Sequence, residues 1–349
     1  MNISLPVLKQ GEVYDPERAE STQVDPIEVI RRFPLRVSVT DHCNADCFFC
    51  SNDGLGYERK HTEHVDSDRF EFLLNALVEL GSLQVALSGG EPSVHPQAAR
   101  LIDIVNSSGI PRKFYHTNGI LLDRDEIREG LGDFTKVGVS IHAFDPEAYA
   151  TITRLKPAVY QRVLRSLDAL HEDGFGNRVE IKHVPTKGLN DSPDMLRRTL
   201  DYCSERGFRF KFLKLEAIEE DHIELQQDTS ELAREIEKLG AVPFKDGNTF
   251  RGQTDYLPIS RYKYGNTDGV VIDIGCGRPE VCASCYNANE IYLTPRLELK
   301  PCKASSHLIP LEDAIDNRNV GEIVRRIASS RSFLAGMPGL DKKYWHEVK

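Results

Sequence analysis

Apolar and polar positions follow two periods along the first two thirds of the chain. Residues 35–40 read LRVSVT, the alternation of a half-buried strand. Phe70, Leu73, Leu74, Leu77 and Val78 then fall at three- and four-residue spacing on one helix face. With Asp66 or Ser67 as N-cap and Gly81 as terminator, the spacing predicts a helix over 67–81 packed on a sheet. The alternation recurs, with strands near 83–88, 112–117, 136–141, 178–184 and 208–215 and helices near 95–107, 124–131, 158–172 and 194–206. About six strand-helix units imply a parallel sheet with right-handed crossovers, too few for a closed eight-stranded barrel and enough for an open one. The expected fold class is therefore α/β, a partial (βα)6 TIM-type barrel.

After a helix near 230–239 the pattern gives way to a stretch rich in Gly, Asp, Asn and Tyr through about 268, then short strands near 269–274, 289–294 and 297–301. The expected division is an N-terminal extension over 1–34, the barrel over 35–240, and a small C-terminal module with terminal helices over 241–349. No low-complexity tract or short repeat interrupts this order.

Composition narrows the class. The 349 residues carry 54 acidic and 44 basic side chains, a formal charge of -10, with no long single-sign block. Nucleic acid is not the expected partner, because binding it needs a concentrated basic face. No apolar run approaches the roughly 20 residues that span a bilayer, and the first residues lack a basic-then-apolar leader, so the expectation is a cytoplasmic protein with no membrane partner.

The eight cysteines change the picture by their placement. Cys43, Cys47 and Cys50 form C-x3-C-x2-C directly after the first strand, so three thiolates can converge on one face of a loop. Three ligands leave one iron of a four-iron, four-sulfur cluster open to a substrate or cofactor, whereas four would suit plain electron transfer. A zinc knot is the competing reading of the spacing alone. Gly89-Gly90-Glu91-Pro92 ends the second expected strand, at the edge where parallel sheets bind ligands, and glycines there permit close backbone approach. Thr117 and Ser140 end the next two strands. Cys276, Cys282, Cys285 and Cys302 form a second set, C-x5-C-x2-C-x16-C, and Cys203 reads as a core cysteine.

The cysteine spacing after a first strand, with GGEP after the second, resembles the signature of the radical S-adenosylmethionine (SAM) superfamily. The resemblance implies that the open iron chelates SAM and that electron donation yields methionine and a 5'-deoxyadenosyl radical. It implies contacts to that cofactor from Gly89, Gly90, Glu91, Pro92 and Ser140, with Phe49 near the adenine. From LRVSVTDHCNADCFFC through SGGEP, HTNG, VSIHAFD and KGLND to the distal cysteines, the chain resembles the GTP 3',8-cyclase branch of molybdenum-cofactor synthesis. That likeness implies substrate contacts from Arg36, Thr117 and Lys187, an auxiliary 4Fe-4S cluster on the distal cysteines, and an electron donor such as flavodoxin or ferredoxin. With Cys276 the distal set has four ligands, which resembles the twitch modules of radical dehydrogenases; a tetrahedral zinc site also takes four.

The chain departs from the cyclase pattern where the family carries arginines, with Ala86 three residues before GGEP and Asn287 and Asn289 after the distal C-x2-C. Alanine and asparagine cannot replace bidentate guanidinium contacts. The expectation is hydrogen abstraction from a small sugar, cyclitol or nucleoside-like substrate, followed by oxidation, elimination, decarboxylation or epimerisation. The alternatives are the GTP cyclase itself, a peptide-modifying radical enzyme, and a non-catalytic metal scaffold. His116 and His142 stand at strand ends as candidate proton or hydrogen donors. Lys182 and His183 are adjacent in the fifth strand, where sequence does not say which faces inward, and neither has an expected role.

Overall fold

The protein is described from a computed structural model over residues 26–50, 62–216, 222–244, 259–273, 290–301 and 307–336. A short helix, α1 (Pro26–Arg32), leads into β1 (Leu35–Thr40), and the expected alternation follows. It runs α2 (Ser67–Glu79), β2 (Gln84–Gly89), α3 (Ala98–Ser107), β3 (Arg112–Thr117), α4 (Asp125–Gly130), β4 (Lys136–Ser140), α5 (Pro146–Thr153), α6 (Ala158–Glu172), β5 (Val179–His183), α7 (Pro193–Arg206), β6 (Arg209–Leu213) and α8 (Thr229–Lys238). Beyond these lie β7 (Val242–Pro243), β8 (Ile259–Tyr264), β9 (Thr267–Ile272), β10 (Ile291–Leu293), β11 (Glu298–Lys300), β12 (Ile309–Pro310), α9 (Glu312–Asp316) and α10 (Val320–Gly336).

Local chemistry sets the helix starts. The Asp66 carboxylate accepts from the Asp68 and Arg69 N–H groups, Asp145 from Glu147 and Ala148, and Asp228 from Ser230 and Glu231. Each such cap is worth about 1 kcal/mol. Ser192 caps α7, Pro193 occupies its first turn, and Gly207 at φ 65° ends it in the left-handed conformation.

The described strands form one twelve-stranded sheet in the order β12-β11-β10-β1-β2-β3-β4-β5-β6-β9-β8-β7. The run from β10 through β9 is parallel throughout, and the outer pairs at both edges are antiparallel. The strands expected in a C-terminal module therefore join the barrel sheet: β9 pairs parallel with β6, and β10 pairs parallel with β1. Eight parallel strands result, two more than local alternation implied, because these two find partners far away in sequence. Among the described residues β9 and β10 are not paired with each other, so the barrel is open.

One face of each strand packs on helices: Val37, Val39, Val85, Leu87, Tyr115, Val137, Val139, Ile181 and Phe212 are buried in one apolar core. A buried side chain of this kind stabilises by about 1.5–3 kcal/mol. The opposite face lines the concave side with Arg36, Ser38, Ser88, His116, Gly138, Ser140, Lys182 and Lys211. Among the described residues no helix is long and apolar enough to cross a membrane.

Candidate active site

The carboxyl ends of the parallel strands meet at one edge, where the chain leaves β1 and enters the cysteine loop. Thr40 Oγ1 donates to Glu63 O and accepts from the His42 N–H, which turns the chain out of the strand. The loop is then sewn to the last turn of α5: the Asp46 N–H donates to Thr153 O at 3.0 Å and the Phe48 N–H to Ile152 O at 3.1 Å. These carbonyls have no partner within their own helix, so the loop satisfies the helix terminus while the helix fixes the loop. Arg154, left-handed at φ 55°, ends α5 there.

Cys43, Cys47 and Cys50 are partly accessible. Burial, and then the charges of Cys50 and Cys43, push the Cys47 thiol well up. Three thiols close enough to oppose one another's ionisation need a cationic centre to become thiolates together, and iron supplies one. The Ala45 N–H donates to Cys43 Sγ at 3.4 Å, and Asn118 Nδ2 lies 3.8 Å from the same sulfur. Among the described residues no group of three metal-ligating side chains is gathered around a single ion. A cubane cluster, which takes one thiolate per iron, makes no such demand. This donor set fits the cluster.

Gly89 and Gly90 do permit a close approach, and the neighbour is the protein itself. A Cβ on Gly90 would stand 2.2 Å from His42 O, and one on Gly89, at φ 125°, would stand 2.3 Å from Thr40 O. The Gly90 N–H donates to Thr40 O and the Glu91 N–H to His42 O, both at 2.8 Å, so the glycines lock the β2 edge against the entrance of the cysteine loop.

Glu91 is wholly buried beneath this edge. Its Oε1 accepts from the Ser93 N–H, Ser93 Oγ and Thr117 Oγ1, and its Oε2 accepts from the Asn118 N–H at 2.6 Å. Burial nonetheless raises its carboxyl above the ordinary range. Glu91 and Thr117, expected near the cofactor and the substrate, hold each other at the strand ends. Both are braces tying the end of β2 to the end of β3, and Pro92 is buried at the start of the short 3-10 turn that follows. The Asn118 amide, in the Thr117-Asn118-Gly119 end of β3, also donates to Asn44 Oδ1 at 2.7 Å, inside the cysteine loop.

Phe49 meets His142 edge to face at 5.0 Å between ring centres, and Ser140 stays partly accessible at the end of β4. Burial, then Lys182, push His142 down to about 4, so it is a neutral ring that accepts from the Val184 N–H through Nδ1. Arg36 is held by Glu290 at 2.5 Å, donates to Ser88 Oγ at 3.0 Å and lies over the Tyr292 ring. Lys187 lies on an exposed turn after β5, anchored through its backbone N–H to Leu225 O.

Strand parity decides the pair that sequence left open. His183 faces the helices, buried against Thr199 Oγ1 at 2.9 Å, while Lys182 points into the concavity with Nζ 2.7 Å from His116 Nδ1. Burial, then Lys182, Arg36, Lys211 and Lys136, hold His116 well below its usual range, so it is neutral and Lys182 donates to it. Cys203 is buried in the core as expected. Cys276, Cys282, Cys285, Cys302, Asn287 and Asn289 lie outside the described residues.

Residues 37–203 match the profile of the Radical SAM superfamily. The GTP 3',8-cyclase of Hydrogenovibrio crunogenus is 29% identical over 286 residues, covering 81% of this chain and 82% of that one. The GTP 3',8-cyclase of Haemophilus influenzae strain PittGG is 26% identical over 330 residues, covering 94% and 93%. Among solved structures, Streptococcus suis SuiB bound to S-adenosylmethionine superposes with a TM-score of 0.60 at 17% identity. That superposition covers 84% of this chain and 66% of SuiB, and at this identity it speaks for the fold alone.

Proposed function

From the premise that the chain belongs to the radical SAM superfamily, we propose that the loop carrying Cys43, Cys47 and Cys50 holds the SAM-binding 4Fe-4S cluster and that a nucleotide-type substrate lies in the concavity below it. The protein is an enzyme, and its cofactors are the cluster and SAM. When bound, they supply a reducing electron and a carbon-centred radical that abstracts hydrogen. The reading is supported by the place of all three cysteines on one loop at the carboxyl edge of the parallel sheet, where the Cys47 thiol feels both of the others.

The chain's own residues do the holding. The three thiolates would hold the cluster, while the Ala45 N–H and the Asn118 amide lie against Cys43 Sγ. Hydrogen bonds to a ligating sulfur are among the controls on cluster potential. Gly89 and Gly90 bring the β2 backbone to the loop, where SAM would rest, with Phe49 and Ser140 beside it. The polar concavity orients substrate beneath through Arg36, Ser88 and Lys182.

The curated relatives favour a purine nucleotide, GTP in the first place, over the sugar or cyclitol expected from the sequence. A nucleoside-like substrate remains the second reading on one observation: Ala86, fully buried on β2, stands in register with Arg36, which Glu290 engages. The distal cysteines, in the C-terminal region expected as a small module over 241–349, would hold an auxiliary cluster, and a flavodoxin or ferredoxin would supply electrons. Oxygen-free protein reconstituted with iron and sulfide, then given dithionite, SAM and either GTP or guanosine, tests the proposal. Formation of 5'-deoxyadenosine stimulated by one purine is expected. A protein that takes up no iron, or never cleaves SAM, overturns it.

A further inference from the structure

The turn that ends β3 holds one side chain in a fixed direction. Thr117 Oγ1 donates to Glu91 Oε1 and accepts from the Gly119 N–H at 3.0 Å, while the Asn118 N–H donates to Glu91 Oε2. Asn118 Oδ1 accepts from the Ile120 N–H at 3.0 Å, the local side-chain-to-backbone turn that asparagine favours. Gly119 completes the turn at φ 79°, where a Cβ would stand 2.9 Å from Val139 Cγ1.

These bonds decide which end of the Asn118 amide meets the cysteine loop. An asparagine amide is oriented by its partners, the oxygen toward a donor and the nitrogen toward acceptors. With Oδ1 committed to the Ile120 N–H, Nδ2 is turned to the loop, where it meets Asn44 Oδ1 at 2.7 Å and Cys43 Sγ at 3.8 Å. The backbone of Asn118 is pinned in turn by the buried Glu91 carboxylate, so the amide cannot swing away without undoing the turn. The same sulfur accepts from the Ala45 N–H at 3.4 Å. A thiol is a weak acceptor and its ionised form a stronger one, so both contacts gain when Cys43 becomes a thiolate.

We infer that Asn118 is a tuning residue, which raises the reduction potential of the cluster held through Cys43 by donating to that sulfur. This rests on the cluster reading and deepens it. Reduction adds one negative charge to the cluster, part of which falls on the ligating sulfurs, and a donor already aimed at one of them lowers the free energy of the more negative state. The potential rises accordingly, and a weaker electron donor suffices to reduce the cluster. Glu91 and Thr117 serve the same end at one remove, because they fix the turn from which the amide points.

The experiment is a redox titration of the anaerobically reconstituted full chain without SAM, followed by electron paramagnetic resonance. The signal that C47A lacks belongs to this cluster. N118D keeps the size of the side chain and the acceptor for the Ile120 N–H while removing the donor, and N118L removes both. N118D is expected to lower the ratio of reduced to oxidised cluster at fixed potential by about tenfold, or 59 mV for a one-electron couple. N118L should lower it by less, because it adds no charge beside the sulfur. The control N106A removes an amide that donates to Gly130 O, and should leave the midpoint unchanged. A merely structural Asn118 would lower iron content or melting temperature and leave the midpoint of the clusters that do form where it was. Wild-type midpoints in N118D and N118L overturn the inference, and so does failure of both variants to load a cluster that the wild type loads. If N118L alone fails to load, N118D decides. A wild type that takes up no iron overturns the cluster reading and this inference together, whereas loaded variants with an unshifted midpoint overturn this inference alone.

Discussion

The buried His183 predicts how the fold responds to acid. Burial, and then His142, push its pKa from 6.5 down to about 3. The unfolded chain therefore binds the proton more readily throughout that window. Stability from this group is complete above the unfolded pKa of 6.5 and is lost as pH falls toward the folded value. Between pH 7 and pH 5 the unfolded state gains about 2 kcal/mol from protonating this one ring. His183→Leu keeps the bulk on the core face of β5, gives up the contact with Thr199, and abolishes the titration. Urea unfolding at pH 7, 6 and 5 under anaerobic conditions should show wild type losing about 2 kcal/mol more than the variant across that range. His142, held at about 4, titrates in the same window in both proteins and cancels in the comparison. Equal losses in wild type and variant would show that His183 is not neutral because of its burial.

The remaining predictions concern the cysteine edge. Cys47→Ala should lower the iron content of the reconstituted protein by about four atoms per chain, whereas Cys203→Ser, in the core, should leave iron unchanged in colorimetric iron and sulfide assays. Gly90→Ala places a methyl 2.2 Å from a backbone carbonyl that cannot yield cheaply, and should cost about 2–3 kcal/mol in chemical unfolding and reduce iron uptake with it. Glu91→Gln sets an amide donor against the Asn118 N–H or against the three donors at the other oxygen. A loss of about 2 kcal/mol is expected by thermal or urea unfolding, and an unchanged midpoint would refute the brace.

The α/β alternation was legible because it is local: the apolar spacing of Phe70 to Val78 and the parity of 35–40 each depend on a few neighbours. β9 and β10 were legible as strands, but their partnership with β6 and β1 was not, since no local pattern encodes pairing across most of the chain. α5 escaped notice because PEAYATIT lacks a clean apolar stripe, although Asp145 and Pro146 are a cap and first-turn pair that could have revealed it. The three cysteines were legible from spacing. The inward turn of Lys182 could have been read from parity, because Val179 and Ile181 face the helices and fix the opposite direction for their neighbours. The work of Glu91 and Thr117 could not, because a polar residue at a strand end looks the same whether it greets a ligand or a neighbouring loop.

The place of β1 in the sheet has a consequence for how the molecule comes into being. During synthesis β1 is made first of the described strands, yet among the described residues one of its flanks pairs with residues 291–293 alone. Until the ribosome has released that late segment, a row of main-chain donors and acceptors beside the nascent cysteine loop has no sheet partner and can recruit another polypeptide. Assembly of the thiol loop before release of the last third would therefore proceed beside a sticky seam, and cells that overproduce the chain should gain more from slowed translation or chaperones than from extra iron alone.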